Sequence, residues 1–165
     1  MLDDLLEPAV ATAMQRDLLD HWGWTFKDWS SDHLRNGKID IPSVVELGIA
    51  LRDRLEPVID RPRLAVCWAL MYRRDAVGKP HRDAGGTVLS LWLTPDRFNR
   101  TPGGGGLALY ADDRPEAPAA AIPYRFNRAV LFDAKTLHGT DRFEFADAGP
   151  ESRRMNLSFS YVAGA

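Results

Sequence analysis

Apolar residues recur at helical spacing only in the first third of this 165-residue chain. From Arg63 onward they fall in short runs punctuated by glycine, proline and aspartate, and that single change of period limits the folds open to the chain. Pro8 suits a first helical turn, and Val10, Met14 and Leu18 then form one stripe, which predicts a first helix. A second helix is predicted from Ser43-Val44-Val45-Glu46, a capping-box pattern after Pro42, with Val44, Leu47, Leu51 and Leu55 on one face before Pro57. Between them the tryptophan-rich WGWTFKDWSSDHLRNGKI reads as strand and turn. RLAVCWALMYR, TVLSLWLT, GLALYA, RAVLFD and MNLSFSYV then read as strands. Strands that follow helices rather than alternating with them predict an α+β protein: an antiparallel sandwich or barrel over about 63–163, buttressed by helices within about 1–60. Gly103 to Gly106 and ADDRPEAPAAAIP read as loops between strands, so residues 1–165 are expected to form a single domain.

The bulk numbers exclude several classes. With 45% hydrophobic and 27% charged residues the composition is that of a globular protein, and no apolar run is long enough to span a membrane. The acidic start MLDDLLEPAV is unlike a secretory signal, and the one cysteine, Cys67, permits no internal disulfide, so a reducing cytoplasm is the expected location. A net charge of −2 gives no overall attraction to a polyanion, which makes nucleic acid a disfavoured partner.

Three residues carry metal chemistry. In extended chain, His81 and Asp83 stand at i and i+2 and point to the same face, so an imidazole and a carboxylate can reach one ion. His138, after the apolar run AVLF and before Gly139, is the candidate third ligand from a distant strand. Two histidines and one carboxylate on one side of a metal leave open positions, the arrangement of non-haem iron(II) oxygenases. An H-x-D tripeptide alone is weak; its pairing with a later histidine on strand-like segments is what gives it force. His21 and His33 have no carboxylate at matching spacing and read as structural or surface residues.

Taken in order, Tyr72, His81-Arg82-Asp83, TVLSLWLTP, GGGGLALY, NRAVLFDAKTLHG and SRRMNLSFSY resemble the double-stranded β-helix (jelly-roll) family of iron(II)- and 2-oxoglutarate-dependent oxygenases, over about Val66 to Tyr161. The resemblance implies Fe(II) on His81, Asp83 and His138, with 2-oxoglutarate and O2 as co-substrates, succinate and carbon dioxide as products, and hydroxylation of a C–H bond. Radical halogenases of the family replace the carboxylate by a small residue, so Asp83 favours hydroxylation; desaturation and cyclisation stay open. The resemblance also calls for a basic residue to meet the distal carboxylate of 2-oxoglutarate, a job suited to arginine's two parallel donors. Arg153 and Arg154 both qualify by charge. Alternation puts Met155, Leu157, Phe159 and Tyr161 on an apolar face and Arg154, Asn156, Ser158 and Ser160 on a polar one, which selects Arg154 unless a β-bulge exchanges the faces. Tyr72 and Asn156 join it as candidate co-substrate residues, and Trp92 stands where some relatives carry a co-substrate-binding tyrosine, although plain core packing is its ordinary role.

Two rival readings stay open. Arg154-Met155-Asn156-Leu157-Ser158-Phe159 is similar to the R-x-N-x-T pattern of AlkB-like demethylases of nucleic acid, but Ser160 and Leu70 depart from that group's arginine and asparagine. A non-catalytic, cupin-like metal-binding domain is the other. The expected substrate is a small or amino-acid-like molecule, with a peptide or carrier-bound group as alternatives. Trp22, Trp24 and Trp29 are candidates for its entrance, although packing is their commoner use. The loop residues Arg74, Arg82, Arg97, Arg100 and Arg142 are candidates for meeting an anion. Oligomeric state is not written in the sequence.

Overall fold

The computed structural model describes residues 1–28, 33–37, 39–72, 76–111 and 117–164. Helix α1 spans Pro8–Asp20 and helix α2 Pro42–Leu55; the strands are β1 Thr25–Asp28, β2 His33–Asn36, β3 Pro62–Tyr72, β4 Ala76–His81, β5 Thr87–Trp92, β6 Leu107–Leu109, β7 Ala120–Ile122, β8 Ala129–Asp133, β9 His138–Phe143 and β10 Met155–Ala163. They form two antiparallel sheets, a major one in the order β1-β2-β3-β10-β5-β8 and a minor one in the order β4-β9-β6-β7. The tryptophan-rich segment supplies the β1–β2 hairpin, as its composition suggests. Strands β4, β7 and β9 were not legible as strands, because GKPH, AAI and HGTDRF lack a run of alternating apolar residues. Strand β7 lies within the segment expected to be loop.

The layers follow from which face of each element is apolar. Both helices pack on one face of the major sheet, where Met14, Leu18, Val44, Leu51 and Leu55 meet Ala69, Met71, Leu89, Leu91, Leu157 and Phe159. Met14 and Leu18 are buried as predicted, but Val10 is exposed, and Ala11 and Gln15 complete the buried stripe of α1 instead. The capping box of α2 does not form: Ile41 is the N-cap and makes no side-chain bond, while Pro42 begins the helix with its fixed φ. Leu47 is half-buried, and Gly48 takes the close contact. A Cβ there would stand 2.8 Å from Leu64 Cδ2 and 2.9 Å from Phe159 Cδ1, so the absence of a side chain lets α2 settle on the sheet. A second apolar cluster, Tyr72, Trp92, Tyr124, Val130, Phe143 and Phe145, joins the other face of the major sheet to the minor sheet. Among the described residues no helix is long and apolar enough to cross a membrane.

Candidate metal centre and its cavity

His81 ends β4 and His138 begins β9, and the two are direct cross-strand partners, so their rings lie with centroids 4.5 Å apart. Asp83 follows β4, fixed by its backbone N–H donating to Ala134 O at 2.9 Å, next to the turn that leads into β9. One ligand atom from each of the three residues lies within 4.8 Å of the others. His81 Nε2 is 3.7 Å from Asp83 Oδ1, and His138 Nε2 is 3.6 Å from Asp83 Oδ2. The two imidazoles are oriented alike: Nδ1 of His81 meets Lys79 O at 2.9 Å, and Nδ1 of His138 meets Thr136 O at 2.8 Å. A carbonyl can only accept, so Nδ1 of each ring is a protonated nitrogen, and Nε2, the atom turned toward Asp83, is the one on which a metal would take the place of a proton. Burial pushes the Asp83 carboxyl up, but the contact with His138 and the positive charges of His138, His81 and Arg35 outweigh it and hold the carboxyl below its ordinary value. At 3.6 Å the His138 contact is one of charge rather than a hydrogen bond. The donor set of two imidazole nitrogens and one carboxylate suits a divalent first-row metal with open positions.

This triad opens on a cavity of about 640 Å³ between the two sheets. Its floor is the face of the major sheet turned away from the helices. The registers β3–β10–β5 place Leu70, Asn156 and Trp92 in one row and Trp68, Ser158 and Ser90 in the next, and all six line the cavity. The intervening row of Ala69, Leu157 and Leu91 faces the helices. A register shift in β10 does occur, but between Ser160 and Tyr161, beyond the polar residues that line the cavity, so it leaves their facing as alternation predicts.

Arg154 lines the cavity and Arg153 does not. The Arg154 side chain is buried, donates from Nε to Gly105 O at 2.5 Å and from Nη1 to Asn156 Oδ1 at 3.1 Å, and lies 4.9 to 5.7 Å from the centroids of Tyr72, Phe143 and Tyr124. Among the described residues no carboxylate pairs with it, and burial lowers its pKa from the ordinary value. The glycine-rich run supports this position. Gly105 has φ +81, and a Cβ there would stand 2.9 Å from Phe143 Cβ and 3.4 Å from Arg154 Cδ. Tyr72 turns its hydroxyl to Thr140 Oγ1 of β9 at 3.1 Å, linking the two sheets across the cavity. Trp92 is buried and stacks on Tyr124 at 5.2 Å, while also lining the cavity.

Other expected contributors lie elsewhere. Trp22 is exposed and stacks on His21, and Trp24 donates its indole N–H to Leu18 O at 2.7 Å while packing on the helical core; neither reaches the cavity, and Trp29 lies outside the described residues. Among the arginines singled out as loop cations, Arg74 is outside the described residues, and Arg82, Arg97, Arg100 and Arg142 do not line the cavity. Arg82 donates to Lys135 O, Arg97 lies over the Phe98 ring and Arg100 faces Glu144. His21 is a structural residue as expected, held between Asp40 and Asn36. His33 is not: with Arg35 it lines the cavity from β2, and its ring lies 5.3 Å from that of Tyr72. Alternation along His33-Leu34-Arg35-Asn36 put both on one face, a signal hidden by the shortness of the strand.

The sequence matches no family model and no curated protein. Many solved structures are similar in fold, three of them as follows. HygX from Streptomyces hygroscopicus, with nickel, 2-oxoglutarate and hygromycin B bound, superposes with TM-score 0.75 at 12% identity, covering 98% of this chain and 81% of that one. The viral collagen prolyl hydroxylase from Paramecium Bursaria Chlorella virus-1, in complex with 2-oxoglutarate, gives 0.68 at 12% identity over 99% and 94%. An oxidoreductase of the 2OG-Fe(II) oxygenase family from Burkholderia pseudomallei gives 0.57 at 12% identity over 98% and 93%. The chain therefore has the fold of the 2-oxoglutarate/iron(II) oxygenases, a mostly β architecture with two helices.

Proposed function

We propose that residues 1–165 form one iron(II)- and 2-oxoglutarate-dependent oxygenase domain with a jelly-roll core, which hydroxylates a C–H bond of a small, amino-acid-like or peptide substrate. The observation that carries this reading is Arg154: a buried guanidinium with no carboxylate partner among the described residues, in the same cavity as a two-histidine, one-carboxylate triad. A buried cation is unfavourable until an anion meets it, and a dicarboxylic keto acid has one end for a metal and one for an arginine. In the similar folds, HygX is described with 2-oxoglutarate and hygromycin B and the viral prolyl hydroxylase with 2-oxoglutarate, which supports both the co-substrate and a small-molecule or peptide substrate.

In this reading His81 and His138 give Nε2 to the metal while Lys79 O and Thr136 O hold their Nδ1 protons, and Asp83 supplies the anionic donor. Arg154 takes the distal carboxylate, with its orientation fixed by Gly105 O and Asn156 Oδ1. Tyr72 is placed to donate a hydroxyl proton to the same carboxylate, in place of or shared with Thr140. Trp92 forms the wall behind them. Bound iron(II) with 2-oxoglutarate and O2 supplies the oxidising power, releasing succinate and carbon dioxide. The chain's part is to leave one side of the metal open, orient the substrate carbon and keep water out with Leu70, Trp68 and Phe132. Anaerobic titration of the protein with iron(II) and 2-oxoglutarate tests the reading. A visible charge-transfer absorption is expected, and its absence in the wild-type protein overturns the proposal. Arg154→Ala should weaken 2-oxoglutarate binding far more than Arg153→Ala.

A further inference from the structure

The cavity holds a second guanidinium that the co-substrate does not account for. Arg35 pairs across β2–β3 with Leu70, and Leu70 pairs across β3–β10 with Asn156, so Arg35 stands in the floor row that runs through Asn156 to Trp92. Strands lie about 4.8 Å apart, which puts the Arg35 backbone roughly 10 Å from that of Asn156. The side chain is half-buried and lines the cavity, and its Nε is buried with no hydrogen-bond partner among the described residues. Among the described residues no carboxylate is ion-paired with it. The acid that feels its charge is Asp83, which belongs to the metal triad.

Charge defines what is missing. With Asp83, a divalent metal, the 2-oxoglutarate dianion and Arg154 all in place, the formal charges cancel and Arg35 is left over. Lys79 also lines the cavity, with the same sign, but it is exposed and water can solvate it. A planar guanidinium with an unused donor in a partly dry wall suits one carboxylate, whereas a phosphate dianion would overshoot the single remaining charge. From Leu70 the cavity face of β3 continues through Trp68 to Val66, an apolar strip next to the arginine. We propose that Arg35 binds a carboxylate on the molecule being oxidised, whose apolar part lies along Leu70, Trp68 and Val66. The inference rests on reading the cavity as a 2-oxoglutarate site and specifies the substrate class of that site.

The test uses a matched pair of probes, 3-phenylpropionate and 3-phenylpropanamide, titrated calorimetrically into protein loaded anaerobically with iron(II) and 2-oxoglutarate. The carboxylate should bind roughly tenfold or more tightly than the amide. Arg35→Gln should erase that preference while the iron–2-oxoglutarate absorption forms as in wild type, which also reports an intact site. Arg35→Lys, which keeps the charge and loses the fork, should recover part of it. Equal binding of the two probes to wild type, no binding of the carboxylate, or a preference that survives Arg35→Gln overturns the proposal. So does loss of the absorption band in Arg35→Gln, because Arg35 would then serve the co-substrate. Repeating the pair with metal-free protein separates the two readings. A carboxylate preference that depends on Arg35, in a protein that never shows the band, removes the oxygenase reading and keeps the anion site.

Discussion

The two faces of the major sheet are made from the same strands and do opposite work. On the helix side, Met155, Leu157, Phe159 and Tyr161 are fully buried among aliphatic neighbours; on the cavity side, Arg154, Asn156 and Ser158 are equally inaccessible but polar. Alternation along β10 thus separates a surface that holds the fold from one that lines the cavity, residue by residue. The cavity face keeps a buried charge, Arg154, that no carboxylate among the described residues neutralises and that an apolar face would not tolerate. Stability and binding should therefore respond to different residues of one strand.

Phe159→Ala is the strongest way to break that separation. It should cost about 3–5 kcal/mol in urea unfolding, through lost burial and the cavity left under Gly48 and Leu64. If the folded fraction of that variant also loses 2-oxoglutarate affinity, the faces are not independent. Arg154→Met should do the reverse. Unfolding stability without ligand should stay within about 1 kcal/mol of wild type, because a buried charge and two hydrogen bonds leave together. The roughly 2.7 kcal/mol of protection that a ligand gives at a hundredfold excess over its Kd should vanish for 2-oxoglutarate with metal. Tyr72→Phe removes one hydroxyl facing Thr140, and 2-oxoglutarate affinity measured by the same absorption should fall by about fivefold to tenfold. An unchanged affinity would restrict that hydroxyl to its Thr140 bond.

The smallest effect belongs to neither face but to the sheet's edge. Leu2 pairs with Ala129 and so covers the open side of β8, and Asp3 is held there by Arg128 and Arg125. The hydrogen-bonded Arg128 guanidinium holds the Asp3 carboxyl down at about 2. A carboxyl depressed in the folded state stabilises it at neutral pH, and that contribution is lost as pH falls from about 4 through about 2. Thermal melts of Asp3→Asn should lie slightly below wild type at pH 6, and the gap should close as pH falls from about 4 through about 2.

Most of the fold was legible because most of its strands have one apolar face. The facing of Arg154, Asn156 and Ser158 followed from plain alternation, and the His81, Asp83 and His138 triad from its spacing. What stayed hidden did so for physical reasons. Strands β4 and β9 bring His81, Lys79, His138 and Thr140 to the cavity, so the segments that line it there are those without a hydrophobic signature. His33 and Arg35 sit on a four-residue strand whose partner, β3, is distant in sequence, and only the register reveals which face they share. The exposed Trp22, by contrast, carried a strong compositional signal and reaches no ligand site.

The pairing of His81 with His138 has one more consequence. Strand β4 is one of the two edge strands of the minor sheet, joined to β9 through a register that breaks twice between Ala76 and His81. An ion shared by the two histidines would act as a rivet at the His81–His138 end of this seam. Occupancy of the centre and order in β4 should rise together, so slowed amide exchange in that single strand would report loading without any turnover.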